Sequence, residues 1–283
     1  MAKIIDGKKI ADRIAQKITN EVNKLKSKPR LAIVTYRADE RSQVYINLKL
    51  KRADEIGIST ELIDWSNIGQ DDCLKKLQKL AEQKDVHGII VQLPINGWYD
   101  PQVLLDLIPP QKDVDGLSMQ SLEDLKANRA KLRPATPRAV LTALEYEKID
   151  LRNKKVVVIG QGKLVGLPLS IILKNQGLDV ETADINTRNL AKLTKSADVL
   201  ISAAGQPKLI TGEMIKPGAT VLDVGIVEIS GKLAGDVDYK SVEPIAGIIS
   251  KVPGGIGPIT VVSLLENVIE AAKSASSDTH RSR

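Results

Sequence analysis

The chain contains no phenylalanine, and aromatic residues make up only 2% of its 283 positions. Its core must therefore be built from Ile, Leu, Val and Ala, and single-stranded nucleic acid, which binds by stacking bases on aromatic rings, finds few platforms. One cysteine, Cys73, excludes an internal disulfide framework and fits a reducing, cytoplasmic compartment. The two histidines, His87 and His280, have no ligand-like spacing, so no metal site is expected. No apolar run approaches the roughly 20 residues of a membrane span. The opening stretch MAKIIDGKKIADRIAQKI has no apolar signal core, and Asp6 and Asp12 argue against a transit peptide. A net charge of +6 remains, but residues 1–30 hold nine Lys/Arg against three Asp/Glu, which equals the whole excess. That charge surrounds an amphipathic helix pattern with Ile10, Ile14, Ile18 and Val22 on one side, so no nucleic-acid partner is expected.

What is present is an alternation of strand and helix signals, the pattern of parallel α/β architecture. Strands are expected at 31–36, 60–64 and 88–93, with helices at 42–56, 71–83, 101–108 and 137–147. A fresh α/β run opens at Lys154 with KKVVVIGQGKLVG, followed by strands at 179–183 and in ADVLISAAG, ATVLDVG and PIAGIIS. Two α/β domains follow from this, 1–138 and 139–257. A last helix at 258–273 is expected to pack back on the first domain, and 274–283 reads as a disordered tail.

Several residues in this frame carry chemistry. Tyr45 and Lys49 stand four apart, on one face of a helix, beside an apolar stripe of Ile46, Leu50 and Ala53. A lysine held beside a ring in a partly dry cleft has its pKa lowered toward neutrality and can move protons; a lysine snorkelling over a half-buried tyrosine is the plainer reading. Gln92 ends the apolar run GIIV, where open α/β sheets bind ligands, or it bonds loop backbone. Asp113 and Asp115 flank Val114 in KDVDG and in an extended loop share a side; with no further acidic residues near them, a carboxylate accepting two donors from a heterocycle is favoured over a metal site. Gly160-Gln161-Gly162 follows a strand and leads into a helix, with Gly166 one residue late for G-x-G-x-x-G, and reads as a dinucleotide turn or a plain βα turn. Asp184, 24 residues past Gly160, suits ribose hydroxyls and repels a ribose phosphate, unless it is merely an acidic loop residue. Pro253-Gly254-Gly255-Ile256-Gly257-Pro258 reads as backbone brought close to a ligand before a helix. Short-chain dehydrogenases also use Tyr-x-x-x-Lys, but their glycine turn precedes it, whereas Gly160 lies more than a hundred residues after Lys49.

Taken in order, S-x-x-Y-x-x-x-K-x-K at 42–51, VQLP at 91–94, KDVDG at 112–116, G-x-G-x-x-VG-x-P at 160–168, KPGATVLDVG at 216–225 and VPGGIGPIT at 252–260 resemble one family. It is the bifunctional methylenetetrahydrofolate dehydrogenase/methenyltetrahydrofolate cyclohydrolase family, and the resemblance covers about residues 1–273. It implies two α/β domains, the second Rossmann-like, with folate in the cleft between them, and usually a homodimer. It implies oxidation of 5,10-methylenetetrahydrofolate to the methenyl form with NAD(P), then hydrolysis to 10-formyltetrahydrofolate. Tyr45 would stack on the folate, Lys49 would carry the proton, and Gln92 would set the protonation of Lys49. Asp115 would hold the pterin-like ring, and Leu93 with the Pro253, Gly254 and Gly255 backbone would line the pocket. Gly160, Gln161, Gly162, Asp184, Ile185 and Ile226 would hold the dinucleotide.

The chain departs from the family pattern in places. Gly160-Gln161-Gly162 replaces the usual G-R-S, and Ala183-Asp184-Ile185 replaces C-H-S; both changes favour NAD over NADP. LSMQSLEDL at 117–125, Ala135 in PATP and Arg138 also differ, which bears on substrate affinity and on the balance of the two activities.

Overall fold

The structure is a computed structural model that describes residues 1–98, 100–229 and 231–281, with backbone alone for Arg41 and residues 278–281. In chain order it runs β1 (Lys3–Ile4), α1 (Gly7–Val22), β2 (Arg30–Thr35), α2 (Glu40–Ile56), β3 (Ser59–Asp64), α3 (Gln70–Glu82) and β4 (Gly88–Val91). Then come α4 (Gln102–Leu105), α5 (Met119–Lys126), α6 (Ala135–Tyr146), β5 (Val156–Ile159), α7 (Gly166–Asn175), β6 (Val180–Ala183), α8 (Leu190–Lys195) and β7 (Val199–Ser202). The chain finishes with β8 (Thr220–Asp223), β9 (Val227–Ile229), β10 (Lys232–Ala234), α9 (Tyr239–Val242), β11 (Ile248–Ile249) and α10 (Ile256–Arg281).

Two compact units form. One comprises Arg13–Ala135 and Val261–Arg283, the other Met1–Asp12 and Thr136–Thr260. The first holds a parallel three-stranded sheet in the order β3-β2-β4. Strands β2 and β4 are buried on both faces, so they read as the unbroken apolar runs LAIV and GIIV rather than as alternation. Helix α2 is started by Asp39, whose carboxylate accepts from Ser42 N at 2.7 Å, and stopped by Gly57 at φ +90°. Ile46 and Ala53 on its inner face are fully buried. Burying such side chains contributes about 1.5–3 kcal/mol each for the larger ones. That packing fixes which side of α2 presents Tyr45 and Lys49.

The second unit holds a parallel six-stranded sheet in the order β1-β11-β8-β7-β5-β6, with β9 and β10 as a separate antiparallel hairpin. Sheet growth reverses at β5, which has β6 on one side and β7 on the other. In open parallel sheets the crevice at such a reversal, at the carboxyl ends of the strands, is the ligand site. The absence of Phe is met as anticipated: the largest fully buried side chains are all Ile and Leu.

Several features differ from what the sequence suggests. Residues 1–12 group with the six-stranded unit instead of the first domain, because β1 pairs in parallel with β11, almost 250 residues later. A two-residue strand has no alternation to read. The stretch 88–93 leaves the ladder at Val91, so Gln92 and Leu93 lie just past the strand. Helix α10 starts at Ile256 and continues to Arg281, through residues expected to form a disordered tail; Ser274 and Ser276 return their hydroxyls to the carbonyls of Glu270 and Ala272. Ser282 and Arg283 lie outside the described residues. Among those described, no helix is long and apolar enough to cross a membrane.

Candidate functional site

In the three-stranded unit, Lys49 and Gln92 meet. Lys49 Nζ donates to Gln92 Oε1 at 2.9 Å. The Gln92 amide nitrogen donates in turn to Leu93 O at 2.7 Å, and the Gln92 backbone N–H donates to Val34 O at 2.9 Å. The loop-backbone bond expected of Gln92 is present, and it leaves the amide oxygen turned toward the lysine. Tyr45, half-buried, stands one helical turn before Lys49.

Burial holds the Lys49 ammonium below its ordinary pKa, and the negative charge of Asp115 offsets this only in part. Burial likewise pushes Asp115 above the usual carboxylate range, with Lys49 opposing and Asp113 reinforcing the shift. The two groups feel each other's charge without being within ion-pair distance among the described residues. Each environment favours the neutral form, which moves both groups toward the range where protons exchange at physiological pH.

Asp113 and Asp115 differ in their partners. Asp113 is buried, and its carboxylate accepts from the backbone N–H groups of Gly116, Leu117 and Ser118 and from Ser121 Oγ at 2.7–3.2 Å. It is the knot that shapes the loop. The unusual segment LSMQSLEDL supplies most of these donors, with Ser118 capping α5. On the other side, fully buried Asn267 of α10 donates to Val114 O at 2.8 Å and to Arg133 O at 2.7 Å. A Cβ on Gly116 would meet Pro134 at 2.7–2.9 Å, so loop 113–116 lies directly on Pro134. Sequence reading missed Asn267; its signal was a polar residue inside the apolar pattern of that helix. It also left aside Ser42, buried on α2 with a hydroxyl that has no partner among the described residues.

In the six-stranded unit, Gly160 follows β5 at φ +82°, and a Cβ there would sit 2.3 Å from Ala203 O. Gly166 opens α7, and its Cβ would lie 1.6 Å from Gly160 O. The late third glycine thus does the packing work, letting the helix close onto the turn. Gly162 borders open space: a Cβ placed there would meet nothing within 4 Å. This turn suits a pyrophosphate: tight backbone, a helix of ten residues behind it, and a free approach at Gly162. Gln161 folds its amide toward Val158 O and Gly160 O at 3.3 and 3.2 Å.

Asp184 follows β6, and its carboxylate accepts from Asn186 N at 2.9 Å and Thr187 Oγ1 at 3.2 Å. Ile185 is fully exposed and Ile226 partly so. In the PGG loop, Gly254 has φ +103°, and Gly7, whose N–H donates to Gly254 O, packs so closely that its Cβ would meet Gly255 O at 1.6 Å. Much of the glycine there serves packing against the start of α1. Tyr45, Lys49, Gln92, Leu93 and Asp115 belong to the three-stranded unit; Gly160, Gln161, Gly162, Asp184, Ile185, Ile226, Pro253, Gly254 and Gly255 belong to the six-stranded one.

Comparison with known proteins agrees along the whole chain. The family model for the tetrahydrofolate dehydrogenase/cyclohydrolase catalytic domain matches residues 5–115, and that for its NAD(P)-binding domain matches residues 134–276. A bifunctional protein FolD from Dechloromonas aromatica is 40% identical over 277 residues, covering 96% of this chain and 98% of the relative. The crystal structure of the bifunctional FolD methylenetetrahydrofolate dehydrogenase/cyclohydrolase from Campylobacter jejuni superposes with a TM-score of 0.93 at 35% identity, covering 97% of this chain and 99% of that one. The Trypanosoma brucei enzyme, complexed with NADP cofactor and inhibitor, gives 0.90 at 33% identity, covering 97% and 98%. On the two domain matches and this full-length similarity, the chain belongs to the tetrahydrofolate dehydrogenase/cyclohydrolase family.

Proposed function

We propose that this chain is a bifunctional enzyme of one-carbon folate metabolism. It oxidises 5,10-methylenetetrahydrofolate to the 5,10-methenyl form with NAD(P) and hydrolyses that product to 10-formyltetrahydrofolate. The observation that carries the reading is the Lys49–Gln92 hydrogen bond, made by a lysine whose surroundings disfavour its charge.

In the hydrolytic step, water adds to the cationic methenyl carbon and loses one proton. The resulting hydroxyl loses its own proton to solvent as the carbonyl forms and a carbon–nitrogen bond opens, and the freed nitrogen takes a proton. A lysine with a lowered pKa serves the first and last of these transfers, accepting the first proton and returning it. Gln92 holds the amine in place, and Asp115 receives donors from the pterin-like ring while reinforcing the charge balance on Lys49. Tyr45 stacks on the substrate, and Leu93 with the Pro253–Gly255 backbone completes its surroundings. The dinucleotide, when bound, supplies the two-electron oxidant for the first step. Gly160, Gln161 and Gly162 would hold its pyrophosphate, Asp184 and Ile185 its adenosine side, and Ile226 its nicotinamide side. Lys49→Ala is expected to abolish cyclohydrolase turnover; wild-type turnover in that variant overturns the assignment.

NAD is the favoured dinucleotide. Gln161 occupies the place of an arginine that would meet a ribose phosphate, and the Asp184 carboxylate would repel one. Steady-state kcat/KM with each dinucleotide decides, and a tenfold preference for NADP refutes this choice. The enzyme is placed in the cytoplasm as a homodimer acting on a folate, with neither nucleic acid nor membrane as partner; the single, buried Cys73 supports a reducing compartment, and sedimentation velocity tests the dimer.

A further inference from the structure

Two buried carboxylates at the carboxyl end of the six-stranded sheet have no part in the roles assigned so far. Asp223 is the last residue of β8, and Asp236 follows β10 by two residues; they are 3% and 0% exposed. The Asp236 carboxylate accepts from Ser202 Oγ and Ala204 N at 2.7 Å and from Gln206 N at 2.8 Å. Asp223 accepts from Asp236 N at 2.9 Å and Val237 N at 3.0 Å. No Lys, Arg or His forms an ion pair with either among the described residues. Three elements are thus drawn together: the loop after β7, the turn after β8 and the chain after β10. They close so tightly that a Cβ on Gly225 would lie 2.1 Å from Asp236 Oδ1, and one on Gly235 would lie 1.8 Å from Asp223 Oδ2.

A buried carboxylate normally keeps a cation beside it or takes up a proton. Burial pushes Asp223 up to about 7, with the charge of Asp236 adding to the effect and backbone N–H groups opposing it. Asp236 instead has three donors aimed at its carboxylate. The reversal of strand order at β5 divides the carboxyl edge in two. Asp184 closes β6 on one side; β7 and β8, whose ends Asp236 binds together, lie on the other. A dinucleotide held by its pyrophosphate at the Gly160 turn, with its adenosine side at Asp184, would have its nicotinamide half on the side of β7 and β8.

We propose that Asp236, backed by Asp223, is a positioning residue for the nicotinamide side, shaping residues 203–206 and 224–226, and that its uncompensated charge favours the oxidised, cationic ring over the reduced, neutral one. This rests on the nucleotide-binding reading above. The test is calorimetric binding of NAD⁺ and NADH, with the NADP pair in parallel, to the full-length protein and its variants at one pH and ionic strength. Asp236→Asn is expected to weaken NAD⁺ tenfold or more and NADH at least threefold less, so the ratio of the two Kd values moves. Ser202→Ala removes one hydrogen bond but keeps the charge, and is expected to leave that ratio within twofold. Equal weakening of both forms by Asp236→Asn would reduce the residue to a structural role and overturn the proposal. If that variant does not fold, as judged by thermal melting, Asp236→Ser, which also removes the charge, carries the same expectation, and an unmoved ratio overturns it equally. Wild-type protein that binds none of the four dinucleotides would instead refute the nucleotide reading itself.

Discussion

Replacing Gln92 by methionine removes the amide oxygen that accepts from Lys49 Nζ while keeping the length of the side chain. A hydrogen bond to a charged group contributes about 1.5–3 kcal/mol, and it favours the charged lysine over the neutral one. Its loss lowers the Lys49 pKa further, in the same direction as the burial that already depresses it. The limb of the cyclohydrolase pH–rate profile that reports Lys49 therefore moves to lower pH. The measurement is methenyl substrate consumption across the pH range without added dinucleotide, so that only hydrolysis is read. Stability gives an independent check. With the Lys49 pKa below its unfolded value, the unfolded chain binds more protons between the two values, and stability rises with pH across that window. In Gln92→Met the window opens at lower pH, and denaturant titrations should show it widened. A profile unmoved within a few tenths of a unit, with near wild-type turnover, would refute the idea that Gln92 governs the lysine.

Asn267→Ala strips the partner from two carbonyls, Val114 O and Arg133 O; at about 1–3 kcal/mol for a buried group left unsatisfied, urea denaturation should register a loss of roughly 2–4 kcal/mol, and an effect below about 0.5 kcal/mol would show the amide to be incidental. Asp223, with its folded pKa raised to about 7 from 3.8, stabilises the fold below the unfolded value, and that contribution is lost as pH rises through 7. The loss amounts to about 4 kcal/mol at most, and melting Asp223→Asn beside wild type from pH 4 to 8 should show the difference between them narrowing as pH rises; a constant difference would contradict it.

The sequence alone carried the chemistry because the motifs are local. Tyr45 and Lys49 share a helix face through their spacing, and GIIV ahead of Gln92 is apolar because both faces of β4 are covered. Strand, glycine turn and helix lie in one continuous segment around Gly160, and the family resemblance rested on such segments. What escaped was non-local or too short. Strand β1 gains its meaning only from β11, and the α9 segment and the β9–β10 hairpin are no more than four residues long in any element. Gly166 looked misplaced against the usual spacing until its contact with Gly160 O explained it.

The family resemblance gave a role to Asp115 of KDVDG, and only the tertiary structure gave one to Asp113. Spacing made Asp113 and Asp115 equivalent, but Asp113 closes the loop with four hydrogen bonds while Asp115 answers the charge of Lys49, more than sixty residues earlier. Likewise, nothing in DVG or GDVD announces that Asp223 and Asp236 are buried together with no ion-pair partner among the described residues. Residue type and periodicity determine what a segment can become. Which buried groups must share a charge or a proton is decided by distance through space and by the loss of water, and both exist only once the chain has folded.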